Sequence, residues 1–186
     1  MTTSFGDILH DSPVIAAVKS DEGLGRALTS GCAVVFLLYG TILDVGSLAA
    51  RAKSAGKLVL VHADLVDGLA PRDIAADFLA RTTAADGLIS THPSLVRRAK
   101  ELGRIAVQRF FLLDSISFEN ATRQNAGADA VDILPGTMPD TVRRLAERTR
   151  GPLIASGLLT EKRDVMAALS AGAAAVSTTC EKLWFA

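Results

Sequence analysis

The sequence predicts an α/β protein: a compact TIM-like (β/α) barrel with eight parallel strands behind short or irregular outer helices. Three observations lead there. Eight short apolar runs alternate with segments of helical periodicity along 186 residues, the pattern of parallel strands covered by helices. The later units open on a glycine just before the strand (Gly56-Lys57, Gly103-Arg104, Gly127-Ala128, Gly172-Ala173), as expected of helix C′ positions leading straight into strands. No GxGxxG turn follows the first run, so an open, doubly wound dinucleotide-binding sheet has no support. The chain is shorter than the roughly 250 residues usual for such barrels, and its loops must be minimal.

The first run is Val14 to Val18, ending at Lys19. The second, Ala33 to Leu38, lies in AVVFLLYGTILDV, which Gly40 and Asp44 break short of a membrane span; it reads as a buried strand and the start of the next element. In Thr41 to Ala55 a short helix has to follow Asp44. The third run is Lys57 to Val61, the fourth Gly87 to Ser90 and the fifth Arg104 to Arg109, after which Ile116 to Gly127 suggests irregular turns. The sixth, Ala130 to Leu134, exits through Pro135 and Gly136: proline fixes the exit, glycine permits a close turn, and Pro139 suits the first turn of the next helix. The seventh, Leu153 to Ser156, is stopped by Gly157. Val165, Leu169 and neighbouring alanines then recur at helical spacing before the eighth run, Ala173 to Ser177, which ends in Thr178 and Thr179.

An apolar fraction of 49% is enough for a sizeable core, and a single domain over residues 1–186 is the simplest organisation. Twenty basic and 20 acidic residues give zero formal charge, which removes the electrostatic case for a nonspecific nucleic-acid binder but leaves room for local basic patches. Cys32 and Cys180 lie far apart, and Met1 to His10 has no charged-then-apolar leader. Reduced thiols in a cytoplasmic protein without a membrane role are expected.

In a parallel barrel, ligands gather at the C-terminal ends of the strands, and the loops after the last two strands often bind phosphate. The residues that fall there are Lys19, Asp44, His62, Asp64, Ser90, Arg109, Asp132, Gly136, Ser156, Gly157, Thr178 and Thr179. Lys19 and Arg109 can neutralise a phosphate or carboxylate, or pair with Asp44, Asp64 or Asp132. If the third strand continues, His62 and Asp64 share a face and can order a hydroxyl or a proton; the alternative is a locally satisfied histidine and a capping aspartate. Asp132 faces the interior, where a carboxylate needs a base or a ligand. No spacing motif for a metal is present, and no cofactor is expected. Arg97, Arg98 and Lys100 on one helix, and Arg143, Arg144 and Arg148 on another, are RNA-phosphate candidates, although such spacing also describes ordinary solvated faces.

Several segments resemble the glycerol uptake operon antiterminator regulatory protein family: VHADLVDG at 61–68, ISTHPSLVRRAKELG at 89–103, VQRFFLLD at 107–114, DILPGTMP at 132–139, GLLTEKRDVMAALSAGAAAVSTT at 157–179 and KLW at 182–184. The resemblance implies a barrel-like cytosolic regulator, not an enzyme, that responds to glycerol 3-phosphate and binds the leader of its target mRNA to carry transcription past a terminator. It implies phosphate contacts from Arg109, Lys19 and the loops at Gly157 and Thr179, with His62, Asp64 and Asp132 toward the glycerol hydroxyls. Ser156 stands where the resemblance leads one to expect glycine. Lacking a separate RNA module, the RNA surface has to come from the folded helices or from subunits paired in a homo-oligomer. The enzyme alternative is a sugar-phosphate aldolase, isomerase or epimerase using Lys19 or the His62/Asp64 pair. A further alternative is a metabolite sensor with a protein partner, in which Trp184 is either a core lid against Phe110 or Phe111 or an exposed anchor.

Overall fold

The computed structural model describes residues 4–123 and 127–186. Residues 1–3 of the Met1 to His10 segment and 124–126 of the region expected to turn irregularly lie outside the described residues. Eight strands form a closed, all-parallel barrel in sequence order: β1 (Val14–Val18), β2 (Val34–Leu37), β3 (Leu58–His62), β4 (Gly87–Ser90), β5 (Ile105–Phe111), β6 (Ala130–Leu134), β7 (Leu153–Ser156) and β8 (Ala175–Thr178). Closure is through β1 and β8, with Ile15 opposite Ser177 and Ala16 opposite Thr178. The helices are α1 (Phe5–Asp11), α2 (Asp21–Thr29), α3 (Val45–Ser54), α4 (Asp73–Thr82), α5 (Pro93–Glu101), α6 (Ser115–Arg123), α7 (Pro139–Ala146) and α8 (Lys162–Ser170), with 3-10 turns at Ala63–Leu65 and Glu181–Phe185. No helix among the described residues is long and apolar enough to cross a membrane.

The strands are apolar on both faces because both are covered. Alternate residues point inward and outward, so Ile15, Phe36, Leu60, Ile89, Val107 and Ile154 fill the barrel. Their neighbours Val35, Val61 and Leu88 pack outward in one shell with α2 to α5, while Ile133, Ala155 and Val176 pack in a second shell with α6 to α8. Each fully buried Leu, Ile or Phe side chain contributes about 1.5–3 kcal/mol, and the largest ones are shared among the three clusters.

The sequence reading passed over α1. Ser4 and Asp7 form a reciprocal capping box, and the helix puts Phe5 and Leu9 into the interior cluster beside the strand-entry residues Ala33, Leu58 and Ile105. The N-terminal end of the barrel is thereby plugged. The helix expected after Asp44 is present as α3, with the Asp44 carboxylate accepting the Thr41 N–H at 2.6 Å. Residues 116–123, expected to be irregular, are helical instead: Asp114 accepts the Ser117 N–H at 2.8 Å, and Phe118 and Ala121 are buried on one face. At the end of α3, Gly56 (φ 77°) donates to Lys53 and Lys57 donates to Ala52, the crossed bonds of a Schellman ending. Gly103 and Gly172 also have positive φ after α5 and α8. The eighth strand starts two residues later than expected because the Ala173 N–H is still bonded to Ala168 of α8.

Candidate functional site

Inward alternation brings Arg109 of β5, Asp132 of β6, Ser156 of β7 and Ser177 of β8 together at the C-terminal mouth. Arg109 donates its Nε to Asp132 Oδ2 at 2.6 Å, Ser156 donates its hydroxyl to the other Asp132 oxygen, and the Ser156 and Ser177 hydroxyls lie 2.6 Å apart. Asp132 is fully buried. Burial pushes its carboxyl above the ordinary value, against the opposing pull of the Arg109 charge and the Ser156 hydroxyl. No hydrogen bond among the described residues takes the two terminal nitrogens of Arg109. That side chain, 6% exposed, lines a cavity of about 410 Å³ bounded by Leu134, Ser156, the Gly157–Thr160 loop and Ser177–Cys180.

The loop beyond β7 has an unusual backbone. Gly157 (φ 76°) and Leu158 (φ 61°) are consecutive left-handed residues, a conformation that costs a residue with a Cβ about 1–2 kcal/mol. Among the described residues, no hydrogen bond takes the N–H of Gly157, Leu158 or Thr179. Successive free N–H groups in such a turn make a concavity suited to an anion. Gly136 supports this loop from below: its N–H bonds to Ser156 O, and a Cβ there would stand 2.8 Å from the backbone of Ala155 and Ser156. Its role is one of close approach, and it does not line the cavity.

Of the other residues expected at the mouth, Thr178 and Thr179 line the cavity, although the Thr178 hydroxyl is engaged with Leu159 O at 2.8 Å. Lys19 is exposed just past β1, outside the cavity lining. His62 ends β3, and Asp64 lies in the following 3-10 turn, so the strand does not continue through both. Asp64 accepts bonds from the Ser90 hydroxyl and from Thr91 N and Oγ1, tying β3 to β4. His62 is buried with its Nδ1 unpartnered. Burial first, and then the Arg109 charge, lower its pKa to about 4, so the ring is neutral at pH 7. Among the described residues, no group of three or more His, Cys, Asp or Glu is assembled as a metal cage.

The arginine clusters are partly engaged. Arg98 makes a forked pair with Asp77 at 2.8 and 2.9 Å, Lys100 meets Asp129 at 2.6 Å, and Arg143 meets Asp140 at 2.7 Å. Arg148 grips Glu119 with both terminal nitrogens, while Arg144 lies over the Phe118 ring at 4.7 Å; Arg97 is exposed. Trp184 is 4% exposed and donates to Thr178 O at 2.9 Å. It packs in the α2–α5 shell, away from the α6–α8 shell that holds Phe110, so it is a core residue and not an exposed anchor. Sequence reasoning missed the left-handed Leu158, because nothing in a leucine signals that conformation. It also passed over the inward Ser177, which period-two alternation from Ala175 would have found.

A closed eight-stranded (β/α) barrel with its cavity at the loops after β7 and β8 belongs to the class in which that corner often binds phosphate. Residues 14–184 match the family model described as glycerol-3-phosphate responsive antiterminator, and the chain belongs to that family. It is 39% identical over 179 residues to the uncharacterized protein YgcP of Escherichia coli (strain K12), covering 95% of this chain and 94% of that one. Among solved structures it is similar to a glycerol uptake operon antiterminator regulatory protein from Listeria monocytogenes str. 4b F2365 (TM-score 0.87, 32% identity, 92% of this chain and 94% of that one). A glycerol uptake operon antiterminator-related protein from Thermotoga maritima MSB8 also aligns (TM-score 0.83, 32% identity, 93% and 98%). Aldolases and an epimerase align at 20% identity or less and share the fold alone.

Proposed function

We propose that this chain is a regulator that takes glycerol 3-phosphate into the barrel mouth and, in that state, binds the leader mRNA of a glycerol-metabolism operon to let transcription pass a terminator. The observation that carries the ligand half is Arg109: a buried guanidinium tied by one nitrogen to Asp132, with its terminal donors free at the cavity. Opposite it, the free N–H groups of Gly157, Leu158 and Thr179 supply further donors for the phosphate oxygens. In this reading Ser156 and Ser177 stand between phosphate and core, and His62, neutral at pH 7, together with Asp64 and Asp132 is assigned to the glycerol hydroxyls. Lys19, exposed just past β1, is assigned the positive charge at the entrance.

A regulatory role fits the family and the site better than catalysis. The interior carboxylate Asp132 is held by Arg109 and Ser156, and Asp64 is held by Ser90 and Thr91, so neither is poised as a base. The deciding experiment is leader-RNA binding at fixed salt with and without glycerol 3-phosphate. Ligand-enhanced, sequence-selective binding is expected; unchanged RNA affinity across the ligand titration would refute the regulatory reading.

A further inference from the structure

The formal charge of zero conceals a separation of charge along the barrel axis. At the mouth, the first turns of α2, α4 and α7 carry Asp21, Glu22, Asp73 and Asp140, and the adjoining loops carry Asp67 and Asp114. The bases interspersed there are Lys19 after β1, Arg72 at the N-cap of α4, and Lys162 and Arg163 at the start of α8. The same face is lined with exposed apolar side chains, with Leu43 at 91%, Leu113 at 87% and Leu158 at 73%. The six acids named outnumber these four bases, which disfavours a polyanion at this face.

The opposite end has the reverse character. Each of the six consecutive helices α2 to α7 has a base in its last turn, and Arg148 and Arg150 follow α7. Of the acids at that end, Asp86 and Asp129 are turned onto the barrel, where they accept the Val59 and Ala106 N–H groups as well as Lys53 and Lys100, while Glu101 pairs with Arg98 and Glu147 is exposed at the C-cap of α7. The arginines at the rim are largely exposed although each meets an acid: the side chains of Arg81, Arg123 and Arg148 are 73%, 76% and 45% exposed, with Arg81 3.4 Å from Asp77 and with Arg123 and Arg148 sharing Glu119, so that an RNA phosphate has to compete with or join these surface pairs. Helix dipoles favour bases at helix C-termini, but that preference does not account for Arg148 and Arg150, which lie beyond α7. Nor does it account for the inward turning of the two acids.

We infer that RNA is held on the strand-entry end of the barrel, by the bases at the C-terminal ends of α4 to α7, and that the ligand mouth is not part of the RNA interface. This rests on the RNA-binding reading above. It places effector and RNA at opposite ends of the same eight strands, so an effect of one on the other passes through the barrel and not through shared contacts. Phosphate contacts of this kind are read by their salt dependence.

The test uses the full chain, saturating glycerol 3-phosphate, the 5′ leader transcript of the glycerol operon from the same genome, and a scrambled RNA of equal length. Wild type is compared with the triple variant Arg81→Glu/Arg123→Glu/Arg148→Glu, a milder triple Gln variant, and Lys162→Glu at the mouth. The entry-end variants are expected to weaken leader binding tenfold or more, and the salt slope to fall by about 2 for three lost contacts. Lys162→Glu should bind as wild type does, and all variants should keep their thermal stabilisation by glycerol 3-phosphate. Wild-type affinity and slope in the triple variants, or an equal loss in Lys162→Glu, would overturn the placement while leaving RNA binding intact. A wild-type protein that binds neither RNA better than the other overturns the RNA reading and this inference together.

Discussion

Arg109 and Asp132 sit directly opposite each other on β5 and β6 and form a 2.6 Å ion pair in the barrel interior. One member is fully buried and the other nearly so. Two charges removed from water tolerate each other only as a pair, so losing one leaves the other stranded. Asp132→Ala is therefore expected to destabilise the fold by about 3–5 kcal/mol, whereas Arg109→Met/Asp132→Leu recovers most of that loss. Chemical denaturation of wild type and the two variants measures this. Equal losses in the single and double variants would mean the pair is not the source of the effect.

If the phosphate is held by the Gly157–Leu158 backbone, side-chain identity at 158 should matter little. Leu158→Gly is expected to keep ligand affinity within about threefold and not to lower stability, since it removes the cost of a left-handed leucine. Gly157→Ala imposes that cost at φ 76° and is expected to lose about 1–2 kcal/mol together with ligand affinity. Calorimetric titration with glycerol 3-phosphate distinguishes the two. A large loss in Leu158→Gly would point to the leucine side chain as the contact.

Ligand binding to the native state raises stability by mass action, by about 2.7 kcal/mol at a hundredfold excess over Kd. Glycerol 3-phosphate should raise Tm in that way and inorganic phosphate less so. Glycerol, which lacks the anion, should leave it unchanged, and Arg109→Met should abolish the response. Stabilisation by glycerol alone would contradict a phosphate-anchored site.

His62 links stability to pH. Its folded pKa, about 4, is below the unfolded value of 6.5. Between those values the unfolded chain takes up a proton that the folded one refuses. Its contribution is thus intact above pH 6.5 and is lost as pH falls toward 4, by up to about 3 kcal/mol. Asp132, with its pKa raised, opposes this, because its stability falls as pH rises through the interval above 3.8. Comparing wild type with His62→Gln isolates the histidine share: the variant's stability should fall less steeply from pH 6.5 to 4. Parallel curves would show that His62 is protonated as readily in the fold as outside it.

The barrel was legible because its signals are local and repeated. Four strands, among them β1 and β4, have the limits their apolar runs suggest, and the glycines after α3, α5 and α8 mark helix endings by a backbone angle few other residues accept. The candidate site was less legible. Arg109 and Asp132 were readable as mouth residues, but that each takes the other as its partner depends on the register between β5 and β6, which no single strand encodes. The 3-10 turn at Ala63–Leu65 separates Asp64 from the face of His62, and the preference for that turn over another strand residue is set by the bonds from Ser90 and Thr91, 26 and 27 residues away. Helix α1 was missed because seven residues carry little periodic signal, although its Ser4/Asp7 box was in plain view.

Helix α1 also determines how the cavity communicates with solvent. Phe5 and Leu9 close the strand-entry end, and among the described residues the cavity lies at the other end, under the loops after β7 and β8. On the proposed reading, a ligand would enter and leave on the side of Gly157 and Leu158, and the residence time of the effector would be set by the few residues around that opening.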